Sequence, residues 1–337
     1  MAFRIGPQLF GQAEEELRLR EAERALILYE KAEKTGYDAD SCAAARWTCH
    51  MLRGDFESAW KESDAIARRG NPDPNRFWDG QPFTGRRVLI RCLHGLGDTI
   101  QFIRYAELIR HQARSLTIEA QPGLKPLFES CGLADHVITW EEPEPPWDQQ
   151  VEVMELPRIF RTTIDSIPAG IPYLRIPGTP RVRNHATLRV ALVWASSRFN
   201  PARSIPLRTL ADICKNPGVE FCSFQGGPER EELTGCALNI QDWDERTNNI
   251  LGAAHSLGEV DLLITADTMM AHLAGALGRP VWILLPYEGD WRWMLNRSDS
   301  PWYPTMRLFR QAEPGDWDSV VEEVQGALLT QAVVRAV

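Results

Sequence analysis

Three stretches of the 337-residue chain combine residue types suited to proton transfer and phosphate binding with glycines and hydroxyls that bring a backbone close to a ligand. In Gly95-Leu96-Gly97-Asp98 two glycines precede a carboxylate. Glycine lets the chain turn tightly and approach a bound molecule. Asp98 then stands where a carboxylate could take a proton from a hydroxyl group, or where it could simply cap the helix that follows. In Asp267-Thr268-Met269-Met270-Ala271-His272 a carboxylate and a hydroxyl open a helical pattern of small residues, Ala271, Ala274, Gly275 and Ala276. The unsatisfied N–H groups of a helix start attract anions, so a diphosphate fits there, although an ordinary N-cap uses the same residues. The third stretch, 194–206, supplies Ser196, Ser197, Arg198 and Arg203. Its guanidinium groups could meet the same anion or lie solvated on a loop. Gly226 and Gly227 offer one more close-approach turn.

Such residues act together only if the chain holds them at the ends of strands. The apolar runs 87–93, 115–120, 136–140 and the short run from 150 read as strands separated by helical segments. Beyond a Pro- and Gly-rich connection at 168–180 the rhythm restarts, with strands expected at 188–194, 219–224, 237–240, 260–264 and 281–285 and a closing amphipathic helix at 316–330. Alternating strand and helix predicts parallel sheets, and the carboxyl ends of parallel strands line a ligand crevice. All three stretches fall at those ends. The expected architecture is α/β, with two Rossmann-like lobes facing a cleft.

Residues 13–80 follow a different pattern. Ala25 and Ala59 stand 34 residues apart, with Tyr29/Ser63 and Ala32/Ile66 in the same register and a Gly54-Asp55-Phe56 corner between them. A 34-residue period with small residues at the helix crossing is what tetratricopeptide repeats require. Two imperfect copies also suit a plain helical hairpin. The expected boundaries are 1–80 for this helical segment, 81–178 for the first lobe and 179–337 for the second.

Composition limits the function. A net charge of -9 without a basic stripe argues against broad nucleic-acid binding. No apolar run approaches membrane-spanning length and the first residues lack a signal-peptide core, so a cytoplasmic protein is expected. Seven cysteines without Cys-x-x-Cys spacing, and histidines without paired ligand spacing, signal neither a disulfide framework nor a metal site. A dinucleotide fingerprint would need a third glycine where Ile100 stands, but Glu119 occupies the place of a ribose-binding acid and keeps a dehydrogenase alternative open.

Taken together these stretches resemble the heptosyltransferase-type glycosyltransferases of family nine, especially a bacterial subgroup fused to tetratricopeptide repeats. The resemblance covers roughly residues 85–325. It rests on Gly95-Leu96-Gly97-Asp98-Thr99-Ile100-Gln101-Phe102-Ile103-Arg104-Tyr105 and on Val193-Trp194-Ala195-Ser196 with Arg203-Ser204-Ile205-Pro206. It rests also on Asp267-Thr268 with His272-Leu273-Ala274-Gly275, followed by Asp290-Trp291-Arg292-Trp293 and Ser300-Pro301-Trp302-Tyr303-Pro304. Met154-Glu155-Leu156-Pro157 is similar to a segment of the subgroup. The resemblance implies the GT-B fold, an acceptor bound by the first lobe, a nucleotide-diphosphate sugar bound by the second, and no metal or other cofactor. It implies that Asp98 is the base, with Gly95 and Gly97 on the acceptor side. It places the donor phosphates against Thr268 and His272, with Asp267 near ribose or phosphate. Two departures stand out: Met269 replaces a glycine of the family motif, and Arg203 takes the place of a lysine by position and charge. By the same resemblance, residues near Glu229 and Glu231 could contact the donor ribose.

The expected function is therefore an inverting, metal-independent transfer of a sugar from a nucleotide-diphosphate donor to a hydroxyl of a glycan or protein. The helical segment would serve as a platform for the acceptor or a partner protein. The alternative is a non-catalytic scaffold in which the helices recruit a partner, a reading that Met269 favours.

Overall fold

The computed structural model of the chain describes residues 5–70, 76–168, 170–178, 187–197 and 200–336. These fall into two compact units, one built from Met1–Phe77, Glu155–Ile167 and Glu288–Arg297, the other from Trp78–Met154, Pro168–Tyr287 and Ser298–Val337.

The first unit contains four consecutive helices, α1 (Ile5–Arg18), α2 (Ala22–Lys34), α3 (Ala39–Arg53) and α4 (Phe56–Arg69). The starts of α1 and α3, and of α2 and α4, lie 34 residues apart, so the period read from the sequence recurs as two helical hairpins. Asp38 and Asp55 cap α3 and α4 by accepting from the N–H groups of Ser41 and Ser58. Gly54 and Gly70 close the same helices in the left-handed conformation that glycine adopts without steric cost. Ala25 and Ala59 are fully buried, which lets their helices approach closely. Arg46, itself buried, ties three helices together by pairing with Glu33 at 2.6 Å and Glu62 at 2.7 Å. The two sequence-distant segments belong to this unit by specific bonds. Trp60 donates to the Thr162 carbonyl at 2.7 Å, Arg158 pairs with Asp64 at 2.8 Å, and the Leu295 N–H bonds to the Leu52 carbonyl. Trp47 and Trp291 pack edge to face.

The second unit holds two parallel sheets. The first comprises β1 (Arg87–Arg91), β2 (Ser115–Ala120), β3 (His136–Thr139) and β4 (Gln149–Glu152), in the spatial order β3-β2-β1-β4. The second comprises β5 (Leu188–Val193), β6 (Val219–Ser223), β7 (Ile240–Asp242), β8 (Leu262–Ala266), β9 (Val281–Leu285) and β10 (Met306–Arg310), in the order β10-β9-β8-β5-β6-β7. That is the doubly wound Rossmann order, in which the chain reverses direction across the sheet between β5 and β8. In the first sheet the corresponding reversal lies between β1 and β4. Every residue of β8 and β9 is buried, as expected where both faces of a parallel sheet are covered. The core of the second sheet gathers Val190, Leu192, Trp194, Ile264, Leu284 and Phe309, closed by Val320, Val324 and Leu328 of the Trp317–Ala336 helix.

Several details differ from the sequence reading. β10 was not anticipated, because Met306–Arg310 is short, carries two arginines that break any clear period-2 pattern, and follows a proline-rich turn. The last strand before the Asp244–Thr247 helix is Ile240–Asp242, shifted from the expected 237–240. Between β5 and β6 the described residues form the short 3-10 turns Pro201–Arg203, Leu207–Leu210 and Ile213–Lys215, where prolines 201, 206 and 217 remove N–H donors a longer helix needs. All seven cysteines are free thiols. Among the described residues no helix is long and apolar enough to cross a membrane, and no three His, Cys, Asp or Glu side chains gather to hold a metal ion.

Candidate functional site

The first sheet contributes a turn at its reversal point. β1 ends at Arg91, and the Leu96–Phe102 helix starts after Gly95. The Asp98 carboxylate reaches back to accept the Gly95 N–H at 3.0 Å, so it does serve as a helix cap. It is only partly buried, at the carboxyl end of the strand. Gln121, at the end of β2, fixes the turn by donating to the His94 carbonyl at 2.7 Å and to Thr99 at 2.9 Å. On the β4 side the buried Glu152 accepts from the Met154 N–H at 2.6 Å and lies 3.7 Å from His94. Glu119, the acid a dehydrogenase would need for ribose, is buried in a 2.6 Å ion pair with Arg91, and Ile100 is fully buried in the glycine's place.

The second sheet contributes the other half. Thr268 caps the Met269–Ala276 helix, its hydroxyl accepting from the Met270 N–H at 3.2 Å and contacting the Thr265 hydroxyl at 3.1 Å. Asp267, next to it and buried, pairs with Arg203 at 3.3 Å across the reversal point between β5 and β8. The pair brings together two residues assigned separately to the donor. Ser196 is drawn towards the Arg203 loop, its N–H donating to the Ser204 hydroxyl at 3.1 Å and its own hydroxyl donating to the Asn200 carbonyl at 3.1 Å. Ser196, Ser197, Gly226, Gly227 and Glu229 line one open cavity of about 460 Å3 at the carboxyl ends of β5 and β6. The wall of that cavity is braced by Gln225, whose side-chain oxygen accepts the N–H groups of Trp194 and Ala195 at 3.0 and 2.8 Å. Arg198 lies outside the described residues.

The two halves meet at Gly97 and His272. A methyl placed on Gly97 would lie 2.9 Å from Cδ2 and 3.4 Å from Nε2 of the His272 ring, so only glycine lets these helix starts approach so closely. Behind His272 lies a buried polar cluster. Its Nδ1 is 3.0 Å from the Tyr303 hydroxyl, Tyr303 lies 3.4 Å from the Tyr173 hydroxyl, and Tyr173 donates to the Ile100 carbonyl at 2.9 Å. Arg104 donates to the Trp302 carbonyl at 2.8 Å and to Tyr173 at 3.3 Å, with its guanidinium 4.7 Å from the centres of both tyrosine rings. Burial works against the charge of Arg104, but Tyr173 and Tyr303 hold its pKa above the ordinary arginine value. Burial, reinforced by Tyr173, pushes the Tyr303 phenol well above its ordinary pKa, so the hydroxyl keeps its proton.

Asp98, Gly95, Gly97 and His272 thus belong to one constellation, and Asp267, Thr268 and Arg203 to its continuation along the same helix start. Ser196, Gly226 and Gly227 line the adjoining strand ends. Sequence reasoning gave no role to Arg104, Tyr173, Tyr303 or Gln225. Arg104 and Tyr303 lie within motifs quoted for the resemblance, but nothing local distinguishes them from core residues; Tyr173 and Gln225 carry no signal before the fold is known.

No family model matches the chain. Among curated proteins it is 25% identical over 361 residues to Protein FlbA of Caulobacter vibrioides, a match that takes in 93% of this chain and 59% of FlbA. The chain thus spans less than two thirds of the length of that relative. Among solved structures it is similar to a glycosyl transferase family 9 protein from Veillonella parvula, with a TM-score of 0.51 and 13% identity over 75% of this chain and 99% of the other. The E. coli ADP-heptose lps heptosyltransferase II matches with a TM-score of 0.49 and 13% identity, over 73% of this chain and 99% of that one. Two Rossmann sheets whose strand-end turns converge on Gly97 and His272, together with the likeness to the Veillonella structure, give this chain the GT-B fold of the family 9 glycosyltransferases.

Proposed function

We propose that the protein is an inverting glycosyltransferase that moves a sugar from a nucleoside-diphosphate donor to a hydroxyl of a glycan or protein acceptor, without a metal ion. The observation that carries this reading is the approach of Gly97 to His272, which sets a carboxylate-bearing turn against an anion-suited helix start. The fold shared with the Veillonella family 9 structure supports the same reaction class.

In this reading the donor's nucleoside lies along the cavity lined by Ser196, Gly226 and Gly227, and its diphosphate meets Thr268, His272 and Arg203. The acceptor hydroxyl attacks the anomeric carbon from the face opposite the diphosphate. As the new C–O bond forms, the proton passes to Asp98 and the electron pair of the breaking bond leaves with the diphosphate. The developing negative charge is met by Arg203, the Thr268 hydroxyl and the helix dipole, with buried Arg104 adding positive potential from behind His272. These groups supply the charge stabilisation that a metal ion gives other transferases. The helical hairpins, in their 34-residue register, would present the acceptor or a partner protein.

A second reading is favoured by one observation: Asp98 and Thr268 each make a capping bond to their own helix, as residues of a non-catalytic scaffold would. Asp98→Asn separates the two. Asparagine still accepts the Gly95 N–H, so the fold and nucleotide affinity should persist, while turnover with a panel of nucleotide sugars falls on the order of 10²-fold or more. Equal turnover in both proteins would retire Asp98 as the base. Absence of turnover with every donor would favour the scaffold.

A further inference from the structure

Resting on the donor site proposed above, the geometry points to Tyr303 as a positioning residue that fixes His272 as the neutral tautomer carrying its proton on Nε2, so that Nε2–H is presented to the donor diphosphate. The two ring nitrogens of a histidine are distinct, and the bond made by one decides which proton the other carries. Nδ1 of His272 faces the Tyr303 hydroxyl at 3.0 Å, and both side chains are buried. The direction of that bond follows from the groups behind it. Arg104 can only donate; it hydrogen-bonds Tyr173 at 3.3 Å and sets its guanidinium 4.7 Å from the centre of the Tyr303 ring. Tyr173 commits its one proton to the Ile100 carbonyl at 2.9 Å, a shorter contact than its 3.4 Å approach to Tyr303. The Tyr303 hydroxyl thus has its own proton for the nearer partner, Nδ1 of His272 at 3.0 Å rather than the Tyr173 oxygen at 3.4 Å. An Nδ1 that accepts leaves the imidazole proton on Nε2.

The opposite arrangement, an imidazolium donating from Nδ1, would put a second positive charge against the same tyrosine that a buried guanidinium already contacts. The packing holds the bond in place. A methyl on Gly275 would lie 2.5 Å from Cδ1 of the Tyr303 ring and 2.7 Å from Cε of Met306, so the helix carrying His272 keeps a glycine where the tyrosine ring lies. Gly97, on the other side, leaves the edge of the imidazole that bears Cδ2 and Nε2 facing the turn of Asp98. His272 is thus a neutral donor whose orientation is set from behind. That suits a site in which Arg203 supplies the charge and a fixed N–H supplies direction.

The test is the 15N spectrum of the histidine ring nitrogens in the full chain, with the His272 signals assigned by their loss in His272→Gln. The expected wild-type pattern is a protonated Nε2 and a hydrogen-bonded, unprotonated Nδ1, and in Tyr303→Phe the Nδ1 shift should move to that of a nitrogen without this bond. Calorimetry with ADP, UDP and GDP should show the best of the three binding about tenfold more weakly to Tyr303→Phe, a variant that keeps the ring packed against Gly275. A wild-type spectrum with the proton on Nδ1, or on both nitrogens at neutral pH, overturns the inference even if the variant fails to fold. Unchanged affinity in a folded Tyr303→Phe overturns its link to the donor. If none of the three nucleotides binds the wild type while the spectrum is as expected, the donor-site reading fails and the tautomer assignment stands.

Discussion

At the scale of single residues, the Asp267–Arg203 pair separates two physical accounts of the proposed donor site. Counting charges alone, a buried carboxylate next to a diphosphate should weaken binding, so Asp267→Asn should strengthen it. The geometry argues the reverse. Asp267 is buried and lies 3.3 Å from the Arg203 Nε, so the carboxylate holds a guanidinium that would otherwise swing on a loop. A guanidinium fixed before the ligand arrives loses less freedom on binding, and its fork meets phosphate oxygens in one geometry. Asp267→Asn is expected to weaken nucleoside-diphosphate binding about tenfold in calorimetry, a change equivalent to roughly 1.4 kcal/mol. Tighter binding in the variant would show that repulsion dominates and that Arg203 needs no anchor.

At the scale of elements, glycines mark where backbones must come close, and they do so for different reasons. Gly54 sits at the corner between α3 and α4 with φ of 76°, and a methyl there would lie 2.8 Å from Cδ1 of Ile164. Gly97 has no positive φ, but its missing side chain makes room for the His272 ring. The two should therefore fail differently. Gly54→Ala is expected to cost about 1–2 kcal/mol of stability through left-handed strain, lowering the melting temperature while nucleotide affinity stays the same. Gly97→Ala is expected to displace the imidazole and lower kcat and nucleotide affinity together. Melting curves and calorimetry on both variants check the contrast. A Gly97→Ala protein with normal binding would mean that the two helix starts can move apart without consequence.

At the scale of the whole molecule, the helical unit is built from more than the first stretch of chain. It includes Glu155–Ile167 and Glu288–Arg297, tied to α3 and α4 through Trp60, Asp64, Leu52 and Trp47. Removing residues 1–77 would leave Thr162, Arg158, Leu295 and Trp291 without these partners and uncover the apolar faces that the helices bury. The truncated protein is expected to aggregate or to melt well below the full chain, as read by size exclusion with light scattering and by thermal unfolding. A truncated protein that is monomeric, soluble and equally stable would show that the two returning segments hold themselves. Substitutions on the exposed faces of α1 and α2 are the better route to testing whether this unit presents an acceptor.

Much of the fold was legible in the chain itself, because local pattern decides local structure. The run from β8 through the Met269–Ala276 helix to β9 is an apolar stretch, a capping Asp-Thr pair, small residues and a second apolar stretch, and the fold follows that order. The 34-residue spacing of Ala25 and Ala59 likewise became two hairpins, since small residues must stand where helices cross. Asp98 and Thr268 could be singled out as candidates because turns between strand and helix are read from glycines and caps, and Arg203 by its position after a strand and its charge alone. Which of these residues face one another was decided only by the tertiary structure. Gly97 and His272, Arg203 and Asp267, and Tyr303 behind them are far apart in sequence, and no periodicity links them. β10 and the returning segments escaped for the same reason: a strand at a sheet edge, or a loop that completes another unit, owes its conformation to its neighbours more than to its own residues.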